Sequence, residues 1–260
     1  RDTDRSRGLG DVYKRQNRYD VEAGNNTYDN AVIENSKISE KNKIQNNQSM
    51  LDDIMNSTQY PKQLKDLALK NEEALEFVFD YPAEHVKEHT IDLTEEASMD
   101  SVPLFVQWDK RWGYEKYSGN FFAASGCGPT TLSMVVVYLT HNREASPIAV
   151  AKYSKEAGYS VDGSGSSWTL ISEGCMHYGV KAKAVALDES RMKAELDEGH
   201  PIVVNVGPGD FTDTGHFMVI TGYDDEGFSI NDPNSIEKSG KRWLFKNISS
   251  QIRAVWSMYV

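Results

Sequence analysis

Apolar positions recur with helical spacing between residues 129 and 140, where Leu132, Val135, Val136 and Leu139 stand at i, i+3, i+4 and i+7. Met134 and Val137 fill the other faces, so the segment is predicted to be a helix buried on every side. The β-branched triplet 135–137 would also suit a strand, but Pro129, just behind a turn of small residues, favours a helix start. Two further helices are predicted from WTLISEGCMHYG, closed by Gly179, and from the more polar ESRMKAELDEG, ended by Gly199. Beyond them the period changes. PIVVNV (201–206), HFMVITGYD (216–224) and GFSIND (227–232) read as strands, the last two joined at an Asp-Asp-Glu-Gly turn. Helices first and an antiparallel sheet afterwards define an α+β class.

The first hundred residues carry a weaker pattern. Ser6 to Gln16, SRGLGDVYKRQ, looks like a translated sequencing adapter, so residues 1–16 are set aside and a natural start is expected upstream. Residues 17–48 read as a flexible arm, since 17–50 hold 8 Asn in 34 positions with little regular apolar spacing. Order is expected from Ser49, which offers an N-cap to SMLDDIMNS. Pro61 then opens PKQLKDLALKN, and Asn71 can cap EEALEFVFDYP, where Pro82 is expected to end the run. Residues 49–100 thus form an acidic helical segment whose short apolar stripes need a larger surface to pack on. From 101 to 260 aromatics and Gly become dense, marking the main domain.

Charge narrows the partners. The formal net charge is -11, and residues 17–100 carry 18 acidic against 8 basic side chains. An acidic chain without a basic stripe cannot neutralise phosphates, which argues against nucleic acid or an anionic membrane surface. No run of about 18 apolar residues suggests a membrane span, and no signal peptide is visible. Two cysteines, Cys127 and Cys175, cannot make a disulfide scaffold, and neither has zinc-type neighbours. No metal or organic cofactor is implied.

Cys127 is the candidate for chemistry. In AASGCGPTTLSMV it sits at the first turn of the buried helix, where unpaired N–H groups and the positive dipole end favour thiolate. Gly126 and Gly128 allow a tight bend that leaves the sulfur uncovered. By itself the stretch is equally compatible with packing, because free Cys is so often buried. Cys175 reads as a buried helix residue. A nucleophile needs a base. His85, His89 and His141 look solvated, His177 lies within a helix, and His200 follows a Gly at a strand start. His216 alone heads the most apolar strand. An orienting acceptor could be Asp232, sixteen residues on, with Asn231 a rival. A flat hairpin would set Val219 opposite Asp232, so contact with His216 requires a bulge or strong curling. Trp108, Trp112, Tyr114 and Tyr117 read as packing, and Asp224, Asp225 and Glu226 as a solvated turn.

Taken together, GCGPTTLSMV, GHFMVITGYD and INDP resemble the double-glycine leader peptidase-like ("C-thirty-nine-like") branch of the papain-like cysteine peptidases. Papain has the same His, apolar run, Gly-Tyr strand with its orienting residue sixteen positions later, and the leader peptidases use Asp there. VPLFVQWDKRWG resembles the opening segment of bacterial secreted members, and YPKQLKDLALKNEEALEFVFDYP a stretch often found before their catalytic domains. The resemblance spans residues 58–260. It implies a papain-like fold, a central helix packed on an antiparallel sheet and preceded by a small helical segment. It also implies a Cys127 nucleophile, a His216 base, an orienting Asp232, and an extracellular or cell-surface location. Leader peptidases carry an oxyanion Gln six residues before the Cys, whereas this chain has Phe121. Gln107 is the best substitute, although it also suits a surface position beside Trp108. The expected activity is amide hydrolysis through a thioester on a peptide or cell-envelope substrate. A catalytically silent binding module and an amide acyltransferase are the alternatives.

Overall fold

The computed structural model describes residues 26–260. Residues 1–16, read as adapter, and the first part of the arm lie outside the described residues. Two compact units divide the chain, residues 1–48 and 49–260. The remainder of the expected arm is helical: α1 runs Asn26–Asn56, and every side chain from 32 to 46 is exposed. No Gly or Pro interrupts it, and Asn costs well under about 1 kcal/mol per helical position, so Asn richness alone did not preclude a helix. Ser49 consequently lies inside α1 and does not cap a new helix.

Within 49–260 the acidic segment folds as α2 (Lys62–Lys70) and α3 (Leu75–Phe79), with Pro61 before the first helix. Asn71 does cap, its side chain accepting the Glu73 N–H at 3.0 Å. Pro82 does not end the helical run; it stands in the first turn of a further short helix, Tyr81–Glu84, where its missing N–H costs nothing. Ile54, Leu64, Leu67, Leu75, Phe77 and Val78 bury themselves together with Phe121 and Ala123, which lie just before Cys127 in the chain. The compositional boundary at residue 100 is therefore not a packing boundary.

The central helix α4 (Cys127–Thr140) buries ten consecutive residues from Gly128 to Val137. Behind it α5 (Pro147–Glu156) opens on Ser146, whose side chain caps the Ala149 N–H, a Ser-Pro start that the periodicity reading passed over. WTLISEGCMHYG is not one helix. It breaks at Glu173 into Thr169–Ser172 and a 3₁₀ turn Gly174–Tyr178, where Gly174 lets Tyr159 and Leu170 pack close. α6 (Glu189–Asp197) is capped by Asp188 and buries only Met192.

Six antiparallel strands form the sheet: β1 (Lys181–Ala184), β2 (Ile202–Val206), β3 (His216–Asp224), β4 (Gly227–Asn231), β5 (Arg242–Trp243) and β6 (Ile252–Tyr259), in the spatial order β1-β6-β2-β3-β4-β5. Alternation along the strands feeds two cores. Val203, Phe217, Val219, Trp256 and Met258 share a core with Leu132 and Val135 of α4, while Ile202, Val204, Met218, Ile220 and Ile230 share one with Met192 of α6. This is the expected α+β arrangement, a central helix on an antiparallel sheet, and it sets the start of α4 beside the start of β3.

Candidate active site

Cys127 occupies the first position of α4, and no side chain caps that helix. First-turn N–H groups have no intrahelical acceptor, so they are available to a charged sulfur or to an oxyanion. The neighbouring glycines are required by contact. A Cβ on Gly126 would come within 2.6 Å of the Phe122 ring, and one on Gly128 within 2.6 Å of Ser166 Oγ. Gly126 has φ of -86°, so steric room and not left-handed backbone explains its presence.

β3 delivers His216. Its backbone pairs with Val206 of β2, and the buried Asn205 side chain donates to the His216 carbonyl at 3.2 Å. Thr131 of α4 donates to the Phe217 carbonyl at 3.1 Å, tying the cysteine helix to the histidine strand. Neither Asn205 nor Thr131 stood out in the sequence, yet an Asn within the otherwise apolar IVVNV was a usable signal. His216 Nε2 meets Asp232 Oδ1 at 2.6 Å, with both side chains buried. The Cys127 thiol and the same imidazole also interact, each shifting the other's ionisation.

How Asp232 arrives there is set by a bulge. Tyr223 pairs with Phe228 and Gly222 with Ser229, but Thr221 is then extra, and Val219 pairs with Asn231 instead of Asp232. That single-residue shift moves Asp232 to the other side of the ladder relative to the flat register, because side chains alternate with period two. Asn231, the rival, turns away: its amide donates to the carbonyls of Val102 and Pro103, each at 3.1 Å. Asp232 Oδ1 also accepts the Asn234 N–H at 2.8 Å, and Oδ2 is buried with no hydrogen-bond partner.

Electrostatics bind the three groups into one unit. Burial pushes the Cys127 thiol up, but the hydrogen bond and charge of His216, with the N–H groups of Phe217 and Gly128, outweigh it and leave the thiol more acidic than usual. Burial pulls the His216 imidazole down, yet the charge and hydrogen bond of Asp232, joined by the thiol, raise it to about 10. Both shifts favour a thiolate–imidazolium pair at neutral pH.

Gln107 is buried, contrary to a surface reading. Its Nε2 donates to the Ala123 carbonyl at 2.7 Å, which leaves one amide hydrogen uncommitted, and its Oε1 is buried without a partner. Phe121, where leader peptidases have Gln, is buried in the helical segment's core. The aromatic residues nearby are structural. Trp112 and Tyr117 are buried, Tyr114 stacks on Phe77, and Trp108 donates to the Asn234 carbonyl at 3.2 Å. At the hairpin tip Asp224 pairs with Arg242. Cys175 is buried, and that burial pushes its thiol up to about 11.

An α+β domain with a cysteine helix on a sheet is the architecture of a papain-like peptidase. Residues 99–260 match the profile of the Peptidase C39-like family, and the chain belongs to that family. Among solved structures it is similar to the peptidase domain of Streptococcus ComA, a bifunctional ABC transporter involved in a quorum sensing pathway. That match has 19% identity and a TM-score of 0.41, covering 52% of this chain and 90% of that one. It is also similar to a structure described as a C39-like peptidase from Bacillus anthracis, at 18% identity and a TM-score of 0.38 over 61% and 95% of the two chains. A search of curated proteins finds no match. Family membership assigns a peptidase-type function in general terms.

Proposed function

We propose that this protein is a cysteine peptidase that hydrolyses amide bonds of a peptide or cell-envelope substrate, outside the cell or at its surface. The observation that carries the reading is the buried His216 Nε2–Asp232 Oδ1 contact at 2.6 Å, with the Cys127 thiol coupled electrostatically to the same ring. In this mechanism the Cys127 thiolate attacks the scissile carbonyl, and the oxyanion is met by the Cys127 backbone N–H and the uncommitted hydrogen of Gln107 Nε2. His216 passes its proton to the departing amine, leaving a thioester. Neutral His216 then takes a proton from water as the water oxygen attacks the thioester, and release of the acid expels the Cys127 thiolate beside the His216 imidazolium, restoring the starting pair. Asp232 holds the ring and stabilises its charged form.

Iodoacetamide labelling against pH tests this. The wild-type rate is expected to follow an apparent pKa below the ordinary thiol value of about 8.5, and His216→Ala to restore that value or exceed it. Turnover in the same variant is expected to fall by at least about 10²-fold. Ordinary thiol behaviour in the wild type would instead support a silent binding module. Products formed with added amines would separate hydrolysis from acyl transfer.

A further inference from the structure

Asp232 lies just beyond the end of β4, at the start of a turn outside the strand ladder that Trp243 of β5 touches by donating to the Lys238 carbonyl at 3.0 Å. Within the turn, Ser239 Oγ accepts the Asp232 N–H at 2.9 Å and donates to the Ser235 carbonyl at 2.6 Å. The Asn234 N–H donates to Asp232 Oδ1 at 2.8 Å and the Lys238 N–H to Ser235 Oγ at 3.0 Å, and the turn is also held from far away in sequence. The Glu73 carboxylate accepts the N–H groups of Ile236 at 2.8 Å and Glu237 at 3.1 Å, and the hydroxyl of Ser235. Asn71 Nδ2 donates to both the carbonyl and the side-chain oxygen of Asn234, each at 3.0 Å. Trp108 shares that carbonyl, and the Gln107 N–H donates to the Pro233 carbonyl at 2.7 Å. Asn71 and Glu73 are themselves joined, since Asn71 accepts the Glu73 N–H.

We infer that Glu73, supported by Asn71, is a positioning residue for the reaction: the acidic helical segment clasps the 232–239 turn and so fixes Asp232 against His216. The inference rests on the catalytic reading given above. Its physical basis is that hydrogen bonds accepted by a carboxylate are among the stronger ones, and three of them, from two N–H groups and one hydroxyl, converge here from one turn. A His–Asp bond at 2.6 Å has little room to absorb a displaced turn. The same turn reaches Gln107 through Pro233, so one clasp serves both the orienting acid and the candidate oxyanion donor. The helical segment accordingly acts as a permanent part of the site and not as a removable propeptide.

The test uses the full chain, with iodoacetamide as probe and the imidazole Nε2–H signal of His216 followed by proton NMR. Glu73→Ala is expected to move the alkylation profile upward by about one pH unit, a roughly tenfold loss of rate on its acid limb. It should also shift or broaden the imidazole signal. Glu73→Gln keeps an oxygen for the two N–H groups and is expected to restore the wild-type profile. Thermal unfolding is measured alongside. A lowered midpoint with an unmoved profile and an unmoved imidazole signal would mean that Glu73 only stabilises the fold, and would overturn the inference. Should Glu73→Ala not fold, Asn71→Ala, which removes both bonds to Asn234, is read by the same criteria. Ordinary thiol reactivity in the wild type would sink the catalytic reading, while the imidazole signal would still decide whether Glu73 positions Asp232.

Discussion

The pairing of His216 with Asp232 makes the protein's stability as well as its chemistry depend on pH. The imidazole is raised from an ordinary value near 6.5 to about 10 in the folded chain. A group raised on folding binds its proton more tightly in the native state, so its contribution is complete below about pH 6.5 and is lost as pH climbs through about 10. Asp232→Asn removes the charge responsible. The stability gap between wild type and this variant, from urea titrations, is therefore expected to be widest near pH 6 and to close above pH 10. A gap that widened with pH would refute the assignment. At this scale the sequence was informative about residue types: Cys127, His216 and Asp232 are brought together, and the bulge that their spacing required is present at Thr221. It could not choose between Asp232 and Asn231, because a one-residue slip in a hairpin leaves no mark on composition. It also left Gln107 undecided, since burial of a polar side chain depends on loops packed from elsewhere.

Among the elements, the predicted strands and the central helix follow their periodicity closely, and the omissions have physical causes. β6 mixes apolar and polar residues as IRAVWSMY, yet it is interior to the sheet, paired with β1 on one side and β2 on the other. β1 is four residues of Lys and Ala, three of them exposed, with none of the β-branched content that announces a strand. α1 was missed because sparse apolar residues and many Asn look like disorder, although nothing in the segment breaks a helix. α6 is tied to the sheet by buried Met192, by Asp197, which accepts from Tyr223 at 2.8 Å, and above all by Glu195. Glu195 accepts from Lys183 at 2.7 Å, Ser257 at 2.7 Å and His200 at 3.2 Å, and these lower its carboxyl to about 2, Lys183 most strongly. A depressed carboxyl contributes above its ordinary pKa and loses that contribution as pH falls from about 4.5 through about 2. Glu195→Gln is expected to cost about 1–2 kcal/mol in denaturant unfolding at pH 7 and much less at pH 2. An equal cost at both pH values would show that charge is not what holds α6 to β1 and β6.

For the whole molecule, composition located a boundary near residue 100 that packing ignores. Short helices with small stripes must bury them somewhere, and here Phe121 and Ala123 complete their core immediately before the cysteine helix. A chain beginning at Ser49 is expected to keep the wild-type unfolding midpoint and alkylation profile, because the division between compact units falls at residue 48. A chain beginning at Asp100 would expose that core and release the 232–239 turn. It is expected to lose several kcal/mol of stability, since truncating even one large core side chain costs about 3–5 kcal/mol. Retention of both midpoint and profile in the shorter chain would show that the helical segment is dispensable.

The burial of Cys175 has a practical corollary. The chain carries two thiols, and one is sealed in the core with its ionisation pushed to about 11, whereas the other is partly open and biased toward thiolate. Alkylating agents and mild oxidants applied at neutral pH thus meet a single addressable sulfur per chain. Label incorporated per mole becomes an absolute count of competent centres, which lets any preparation be titrated before a substrate is known.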